Sequence, residues 1–206
     1  MNPRWPPRGL YLVTPDEEDT SRLITRVEAV LGSAVLLQYR NKSADRSLRL
    51  EQASALLVVC RVHGVPLVVN DDADIAGAIG ADGVHLGEHD DHINNVRVQL
   101  GGDAIIGVSC YDDVQRAEVA AAAGADYLAF GAFFASPTKP NARRATLQLL
   151  LQSRRFGLPR VAIGGITPDN ATAVMAAGAD LIAVISGVFD APDPVVAARA
   201  YASLFH

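Results

Sequence analysis

Polar residues with regular spacing follow the second of several short apolar segments in this chain. In an extended strand Gln38, Arg40 and Lys42 would point to one face, which Leu36 also occupies. Polar groups above an apolar layer are costly unless they meet a ligand or polar partners. Because two of the three carry positive charge, the pattern favours a site for a polyanion such as a diphosphate.

Lysine is rare in this sequence. Of the 18 basic residues, only Lys42 and Lys139 are lysines. Arginine supplies nearly all of the positive charge, so these two lysines are candidates for a role that needs a compact ammonium group. Two ordinary exposed residues are the alternative interpretation. We expect Arg40, Lys42 and Lys139 to converge on the polyanion.

Acidic residues follow the next two apolar segments. The run Asn70-Asp71-Asp72 comes after the third, and Glu88-His89-Asp90-Asp91 comes after the fourth. Mg2+ is usually bound by one or two carboxylates, with substrate phosphates and water completing its shell. We therefore predict Asp71 and Asp90 as Mg2+ ligands. Helix N-capping is the alternative for any single aspartate after a strand, and it is the role expected of Asp72.

Small residues follow the last two apolar segments, as Gly164-Gly165 and Ser186-Gly187. Glycine lets the backbone approach a phosphate, and free N–H groups at a helix start can bind it. A tight turn is the alternative interpretation of the glycine pair. The positions after the seventh and eighth segments favour a phosphate site.

Two other candidate sites receive less support. His85, His89 and His92 form a loose cluster, but their spacing does not match a helical H-E-x-x-H zinc motif, so packing and surface roles are favoured. Cys110 follows Ser109, yet the sequence places no base beside it. We expect a buried, unreactive thiol there.

The elements that must position these residues alternate regularly along the chain. Runs rich in Val, Ile and Leu predict strands, and near-continuous apolar runs such as Ala104–Val108 are typical of parallel strands buried on both faces. The predicted strands are Gly9–Val13, Ala34–Arg40, Pro66–Asn70, Asp82–Leu86, Ala104–Ser109, Tyr127–Gly131, Arg160–Gly164 and Leu181–Ile185. The clearest predicted helices are Ser21–Leu31, Leu48–His63, Val114–Gly124, Pro168–Gly178 and Pro194–Leu204.

Three Gly-Ala-Asp triplets, at 80–82, 124–126 and 178–180, each close a predicted helix and open a strand. Their spacings of 44 and 54 residues each cover about two strand–helix units. Thr167 and Pro168 are of the types preferred at an N-cap and a first helical position, so they predict the start of a helix.

Eight alternating strand–helix units in 206 residues predict the α/β class and a single (β/α)8 TIM barrel domain over residues 1–206. In such a barrel the chemistry collects at the C-terminal ends of the strands, where the polar residues of this chain lie. A doubly wound open sheet is the alternative fold. It lacks support because no G-x-G-x-x-G motif follows the first strand.

Composition excludes several classes of protein. The net charge is −5 and half of the residues are hydrophobic, which argues for a globular chain and against a nucleic-acid binder with its basic stripe. No apolar run approaches a membrane span, and the first nine residues contain three prolines and no signal-peptide segment. With two cysteines there is no disulfide framework. We expect a soluble cytoplasmic protein whose partners are small molecules, and its state as a monomer or homo-oligomer stays open.

Taken in order, the motifs resemble those of the thiamine-phosphate synthase family, also called thiamine-phosphate pyrophosphorylases. The resemblance covers essentially the whole chain, and its motifs are specific only together. They are Leu10-Tyr11-Leu12-Val13-Thr14, Gln38-x-Arg40-x-Lys42, Asn70-Asp71, the run from Gly80 to Gly87, Gly107-Val108-Ser109, Ser136-x-Thr138-Lys139, Gly164-Gly165-Ile166 and Ile185-Ser186.

The resemblance implies a (β/α)8 transferase that joins 4-amino-2-methyl-5-(diphosphooxymethyl)pyrimidine to a thiazole phosphate, releasing diphosphate. It implies Mg2+ as cofactor, with Asp71 and Asp90 as ligands, and Arg40, Lys42 and Lys139 as catalytic cations. The implied pyrimidine-diphosphate site comprises Gln38, Tyr39, Arg40, Asn41, Lys42, Asn70, Ser109 and Lys139. The implied thiazole-phosphate site comprises Ser136, Pro137, Thr138, Gly165, Ile185 and Ser186.

The implied mechanism is dissociative. No residue is placed as a covalent nucleophile, so the protein would assist departure of diphosphate by Mg2+ and cationic stabilisation, and the thiazole nitrogen would capture the pyrimidine methylene cation. Two positions depart from the family pattern. Asp72 and Glu88 stand where Arg and Gln are expected more often, and Glu88 would add negative charge near the metal.

Three rival functions stay open at this point. A thiazole tautomerase would keep the thiazole-phosphate site but would need neither the diphosphate residues nor Mg2+. A Schiff-base aldolase or isomerase would need Lys42 or Lys139 to be desolvated. A non-catalytic protein that binds thiamine precursors would bind the same ligands and form no product.

Overall fold

The described part of the computed structural model comprises residues 8–88, 92–135 and 143–206. It forms a closed barrel of parallel strands in sequence order, with β8 paired to β1. The strands are β1 (Gly9–Val13), β2 (Ala34–Tyr39), β3 (Leu67–Asn70), β4 (Gly83–Leu86), β5 (Ile105–Tyr111), β6 (Tyr127–Gly131), β7 (Arg160–Ile163) and β8 (Leu181–Val184). The predicted (β/α)8 fold is confirmed, and the open-sheet alternative is wrong.

Helices follow the strands on the outside of the barrel. They are α1 (Thr20–Leu31), α2 (Arg46–His63), α3 (Ala73–Ile79), α4 (Ile93–Leu100), α5 (Val114–Ala122), α6 (Leu147–Ser153), α7 (Ala171–Ala176), α8 (Ser186–Phe189) and α9 (Pro194–Ala202), with 3-10 turns at Arg154–Phe156 and Ser203–Phe205. None of the helices in these described ranges is long and apolar enough to cross a membrane.

Most of the predicted element bounds hold to within one or two residues, but the start of α7 was predicted wrongly. Thr167 and Pro168 belong to a turn, and the helix begins at Ala171. The side chain of Asn170 accepts a hydrogen bond from Thr167 N at 2.9 Å, and Asn170 N donates to Thr167 O at 3.2 Å. These bonds stabilise a turn where the Thr-Pro pair alone indicates a helix start.

Alternation along the strands divides the core into two layers. Tyr11 and Val13 of β1 point into the barrel, where they pack with residues such as Leu36 and Tyr127. Leu10 and Leu12 point outward and pack beneath the helices. Because each strand is buried on both faces, its sequence is a continuous apolar run, which is typical of parallel strands.

The aspartates of the Gly-Ala-Asp triplets connect neighbouring strands by hydrogen bonds at the N-terminal end of the barrel. The carboxylates of Asp82, Asp126 and Asp180 accept hydrogen bonds from an N–H within the first two residues of the preceding strand, at 2.9, 2.8 and 2.9 Å. The glycine of each triplet has positive φ, which ends the preceding helix without a Cβ clash. The repeat serves the stability of the barrel, because it lies at the end remote from the site residues.

Candidate active site

The C-terminal end of β2 and the loop after β1 form one side of the barrel mouth. Asp16 accepts a hydrogen bond from Arg40 Nη1 at 3.1 Å and another from Lys42 N at 2.9 Å. Thr14 Oγ1 donates to Arg40 O and accepts from Arg40 N, both at 2.8 Å. Thr14 and Asp16 therefore hold the two cations of the predicted diphosphate site in place. Neither role was predicted from the sequence.

A second network fixes the loop that carries Asp16. Asn41 Nδ2 and Gln52 Nε2 both donate to Glu17 O, at 2.6 and 2.8 Å. Tyr39 donates to Oε1 of Gln52 in α2 at 2.9 Å, and both side chains are buried. The side chains of Tyr39 and Asn41 thus face away from the barrel interior, so any contact with a diphosphate would come from their main chain.

The Glu17 carboxylate is a buried anchor beside this network. Only 2% of its side chain is exposed, and Arg22 and Arg26 lie at 2.5 and 3.5 Å. Hydrogen bonds from Arg22 lower the pKa of Glu17 to about 2. A carboxyl with a lowered pKa stabilises the fold above its ordinary pKa, and this contribution is lost as pH falls through the lowered value.

The melting temperature should therefore depend on Glu17 in acid. The ordinary pKa of the side chain is 4.5, and the lowered value is about 2. As pH falls between these two values, we expect the melting temperature of wild type to fall further than that of Glu17→Gln. The neutral amide has no proton to gain, so its curve should be flatter over this interval. Glu28→Gln, at an exposed position of the following helix α1, is the matched control and should follow wild type. Parallel curves for wild type and Glu17→Gln would contradict the assignment.

Asp71 lies beside these cations, directly after the neighbouring strand β3. Its φ is +61°, a left-handed conformation that is uncommon outside glycine, and Asp71 N donates to His85 O at 2.8 Å. Its carboxylate Oδ2 lies 4.0 Å from Lys42 Nζ, and 34% of its side chain is exposed. A cavity of about 340 Å3 contains Arg40, Lys42, Asn70 and Asp71 in its lining. An accessible carboxylate beside a cation-lined cavity is a suitable ligand for a hard divalent ion.

The two positions that depart from the family pattern are both paired with arginines. Asp72 caps α3 by accepting from Ile75 N at 2.9 Å, as predicted, and its carboxylate lies 3.3 Å from Arg49. Glu88 accepts from Arg143 at 2.5 Å, and that guanidinium lies 4.6 Å from the Tyr111 ring centroid. The negative charge of Glu88 is thus compensated within the protein.

A continuous chain of hydrogen bonds crosses the barrel interior below the mouth. Gln38 Nε2 donates to Tyr11 at 2.6 Å, and the Tyr11 and Tyr127 hydroxyls are 2.7 Å apart. His85 Nδ1 lies 2.8 Å from the Tyr127 hydroxyl, and His85 Nε2 lies 2.8 Å from Ser109 Oγ. The chain joins β2 to β5 and has a predicted pyrimidine-binding residue at each end.

Alternation along the strands indicates that Tyr11, Tyr127 and His85 face the barrel interior. It does not indicate that they contact one another. A strand pattern shows which face a residue occupies and leaves open which residue lies across the barrel. Gly107 makes the arrangement possible, since a Cβ there would lie 1.9 Å from Cζ of Tyr127. The prediction of packing for His85 was therefore incomplete, because both ring nitrogens are hydrogen bonded.

The glycine pair after β7 approaches another loop closely. Gly164 and Gly165 have φ values of +102° and +62°, and a Cβ on Gly165 would lie 2.4 Å from Ala135 O. Phe134 N donates to Gly164 O at 2.9 Å. The adjoining Ile166 O accepts from the buried Tyr201 at 2.8 Å, and a Cβ on Gly187 would lie 2.5 Å from the same hydroxyl. Tyr201 thus brings the loops after β7 and β8 together.

Ile185 and Ser186 lie at the end of β8, where Ser186 begins α8. The proximity of this position to the glycine loop is the arrangement that a phosphate site between β7 and β8 would need. Five predicted site residues lie outside the described ranges, and their assignments stay predictions: Asp90, Ser136, Pro137, Thr138 and Lys139.

The cysteine alternative receives no support in the part of the chain that the structure describes, whereas the histidine cluster includes His89, which lies outside it. Cys110 is fully buried, which confirms the expectation of a buried cysteine, and burial raises the pKa of its thiol to about 12. Across the described residues no group of three His, Cys, Asp or Glu side chains could hold a metal ion. His92 precedes α4 as its N-cap residue.

Comparison with known proteins gives a consistent family. The family model described as thiamine monophosphate synthase matches residues 10–188. A thiamine-phosphate synthase from Xylella fastidiosa is 55% identical over 206 residues, covering 100% of this chain and 88% of that protein. One from an Azoarcus species is 57% identical over 200 residues, covering 96% of this chain and 97% of that protein.

Solved structures agree with these relatives. A thiamine phosphate pyrophosphorylase from Pyrococcus furiosus superposes with a TM-score of 0.83 at 34% identity, covering 95% of this chain and 94% of that one. A 3-hexulose-6-phosphate synthase superposes with a TM-score of 0.70 at 21% identity, which shows a shared barrel fold only. The match over nearly the whole length, at more than half identity, shows that this chain is an enzyme, a transferase of thiamine biosynthesis, and belongs to the thiamine-phosphate synthase family.

Proposed function

We propose that this enzyme joins the aminopyrimidine methyl diphosphate to a thiazole phosphate in a Mg2+-dependent, dissociative reaction. The observation that carries the proposal is the meeting of Arg40, Lys42 and Asp71 at one cavity beside the C-terminal ends of β2 and β3. Two cations and one accessible carboxylate at a barrel mouth are suited to a metal-bound diphosphate. Small-molecule substrates follow from this assignment.

The proposed residue roles follow from position. Arg40 and Lys42 bind the diphosphate, while Gln38 and Ser109 orient the pyrimidine ring above the apolar interior. Asp71, with Asp90 as predicted from the sequence, holds the Mg2+. When bound, that ion neutralises charge on the diphosphate oxygens. Gly165 and Ser186 bind the phosphate of the thiazole, and Lys139 is proposed as a third cation.

The chemistry balances without a protein nucleophile. The C–O bond between the pyrimidine methylene and diphosphate breaks, and its electron pair leaves with diphosphate. The thiazole nitrogen then forms the C–N bond with its lone pair. The cations Arg40 and Lys42 stabilise the leaving group, and the two phosphate sites bring the reacting atoms together.

The exposure of Lys42 argues against the Schiff-base rival. Its side chain is 59% exposed and lies near Asp71. A Schiff-base lysine needs desolvation to lose its charge, and the Lys42 side chain is not desolvated.

The direct test combines the purified protein, both precursors and Mg2+. We expect thiamine phosphate and diphosphate to form in equal amounts. Conversion of a thiazole isomer with no diphosphate release would indicate the tautomerase instead. Binding of both precursors with no product would indicate the non-catalytic alternative.

Asp16→Asn should slow the reaction although Asp16 contacts no substrate in the proposed site. The amide can still accept from Lys42 N, but it loses the charge that holds the Arg40 guanidinium. We expect a loss of about tenfold in kcat/KM, the value of one charge-assisted hydrogen bond. Steady-state kinetics with Glu28→Gln as the matched control would measure it. An Asp16→Asn enzyme as active as wild type would contradict the positioning role.

Gly165→Val should separate the two substrate sites. A side chain at this positive φ is strained, and its Cβ would meet Ala135 O and Phe134 O at 2.4 and 2.7 Å. The loop after β7 must therefore shift, so we expect the Kd for thiazole phosphate to rise by about 100-fold or more. The Kd for the pyrimidine diphosphate should change much less. Equal losses for both ligands in calorimetric titrations would reject the assignment.

A further inference from the structure

The side chains of Tyr11, Tyr127 and His85 connect the two residues proposed to orient the pyrimidine. We infer that these three form a polarity relay, which fixes the hydrogen-bond donors and acceptors that Gln38 and Ser109 offer to the ring. They would be positioning residues, since they act on the ligand only through the two ends of the chain. The inference rests on the proposed function.

The direction of the chain follows from counting protons. Burial raises the pKa of Tyr11 and of Tyr127 well above that of an ordinary phenol, so each hydroxyl keeps one proton. Tyr11 accepts from Gln38 Nε2, and its own proton is then available for the Tyr127 oxygen 2.7 Å away. With that bond formed, the relay assigns the Tyr127 hydrogen to His85 Nδ1, which lies 2.8 Å from the hydroxyl.

The same count determines the state of the imidazole. In this relay His85 Nδ1 accepts a hydrogen bond from the Tyr127 hydroxyl, so Nδ1 carries no hydrogen and the hydrogen of the ring is on Nε2. That hydrogen is directed at Ser109 Oγ, 2.8 Å away. Ser109 accepts there and keeps its hydroxyl hydrogen for another partner. At the opposite end, Gln38 uses one amide hydrogen on Tyr11 and keeps Oε1 as an acceptor.

The two ends thus offer complementary groups to a ligand. A ring with an amino group beside a ring nitrogen presents one donor and one acceptor, which match Gln38 Oε1 and the Ser109 hydroxyl. A ring with an oxo group beside a ring N–H presents the reverse pattern. To form the same number of hydrogen bonds with the oxo ring, every hydrogen bond between Gln38 and Ser109 would have to reverse its direction. The Gln38 amide would have to flip, and His85 would have to change tautomer.

Packing prevents the hydrogen-bonded side chains from moving apart to accommodate the oxo ring. Tyr11 and Tyr127 are fully buried and meet edge to face with ring centroids 6.0 Å apart, and the His85 and Tyr127 rings stack at 5.5 Å. Around them lie apolar side chains such as Leu36 and Ile105. A hydrogen bond lost inside this layer leaves a buried polar group without water, which is costly. Discrimination at the ring therefore depends on residues that do not touch it.

The first test reads the tautomer directly. In 15N NMR spectra of the wild-type protein, with His85→Asn used for assignment, we expect His85 to be neutral with its hydrogen on Nε2. The same tautomer should persist when the pyrimidine diphosphate is bound. A hydrogen on Nδ1, or a doubly protonated ring at neutral pH, would overturn the inference.

The second test measures selectivity. Calorimetry would compare the Kd of the pyrimidine diphosphate with that of the same compound carrying an oxo group in place of the amino group. We expect wild type to prefer the amino compound, and Tyr11→Phe and Tyr127→Phe to reduce the preference by about tenfold, the value of one lost hydrogen bond. Tyr201→Phe removes a buried hydroxyl outside the chain and should leave the preference unchanged.

The outcomes separate the inference from the function it rests on. A preference that is unchanged in both folded phenylalanine variants would overturn the relay while leaving the synthase assignment intact. Failure of wild type to bind either pyrimidine would overturn the proposed site as well. Melting curves show whether each variant is folded, and if neither is, the wild-type tautomer decides.

Discussion

Removal of divalent metal is expected to reduce the rate of thiamine phosphate formation by about 1000-fold or more, and Mg2+ should restore it. The reason is the charge on the departing diphosphate, whose stabilisation by a metal ion contributes several kcal/mol, and about 4 kcal/mol corresponds to 1000-fold. Single-turnover rates in EDTA, before and after addition of Mg2+, provide the measurement. Full turnover by the metal-free enzyme would show that the proposed metal site does not exist.

The same loss should follow from Asp71→Ala in the presence of Mg2+. Asp71 is the predicted ligand inside the described residues, and its accessible carboxylate lines the cavity with Arg40 and Lys42. Asp74→Asn is the matched control, because Asp74 lies three residues further on, in α3, and is hydrogen bonded to Gln99. If the Asp71→Ala enzyme had the same Mg2+ dependence as wild type, the metal would have to bind elsewhere.

Lys42→Ala and Lys139→Ala should each slow the reaction by about 30- to 1000-fold. A charge-assisted contact to the leaving group contributes on the order of 2–4 kcal/mol in the transition state, which gives this range. The fold should survive the loss of Lys42, because its side chain is mostly exposed. Single-turnover rates and melting curves would separate the effect on chemistry from the effect on stability.

The arginine variants test why lysine occurs at these positions at all. If charge alone matters, Lys42→Arg should be nearly as fast as wild type. If a compact ammonium is needed beside Arg40 and the metal, Lys42→Arg should be almost as slow as Lys42→Ala, and this is the result we expect. Arg46→Ala removes a nearby exposed cation of α2 as the control. A rate within about threefold of wild type for both alanine variants, roughly 0.7 kcal/mol, would show that neither lysine assists departure of the diphosphate.

The sequence was sufficient for the fold because barrel strands are continuous apolar runs and the helices between them end at glycines. The site residues at the end of β2 could also be predicted, since alternation along a strand places Gln38, Arg40 and Lys42 on one face. Strand order in a (β/α)8 barrel follows chain order, so adjacent strands in sequence are neighbours in space. Asp71 could be predicted for that reason.

The interior chain could not be predicted in the same way. Tyr11 and Tyr127 are separated by 116 residues, and their contact depends on the diameter of the barrel and on space left by Gly107. Asp16 was missed because a loop carboxylate has no periodicity to reveal where it lies. The start of α7 was missed because a side chain of Asn170 competes with the cap that Thr167 suggests.

The aspartates at the base of the barrel have a consequence for how the chain folds. Asp82, Asp126 and Asp180 bind the preceding strand across only 15 to 20 residues of sequence, so each pair closes a short loop at low entropic cost. Asp180 also accepts from Gly9 N through its main-chain oxygen, across almost the entire described chain. We therefore expect the β3–β4, β5–β6 and β7–β8 pairs to form early. The β1–β8 seam, with its long sequence separation, would be the last part of the ring to close.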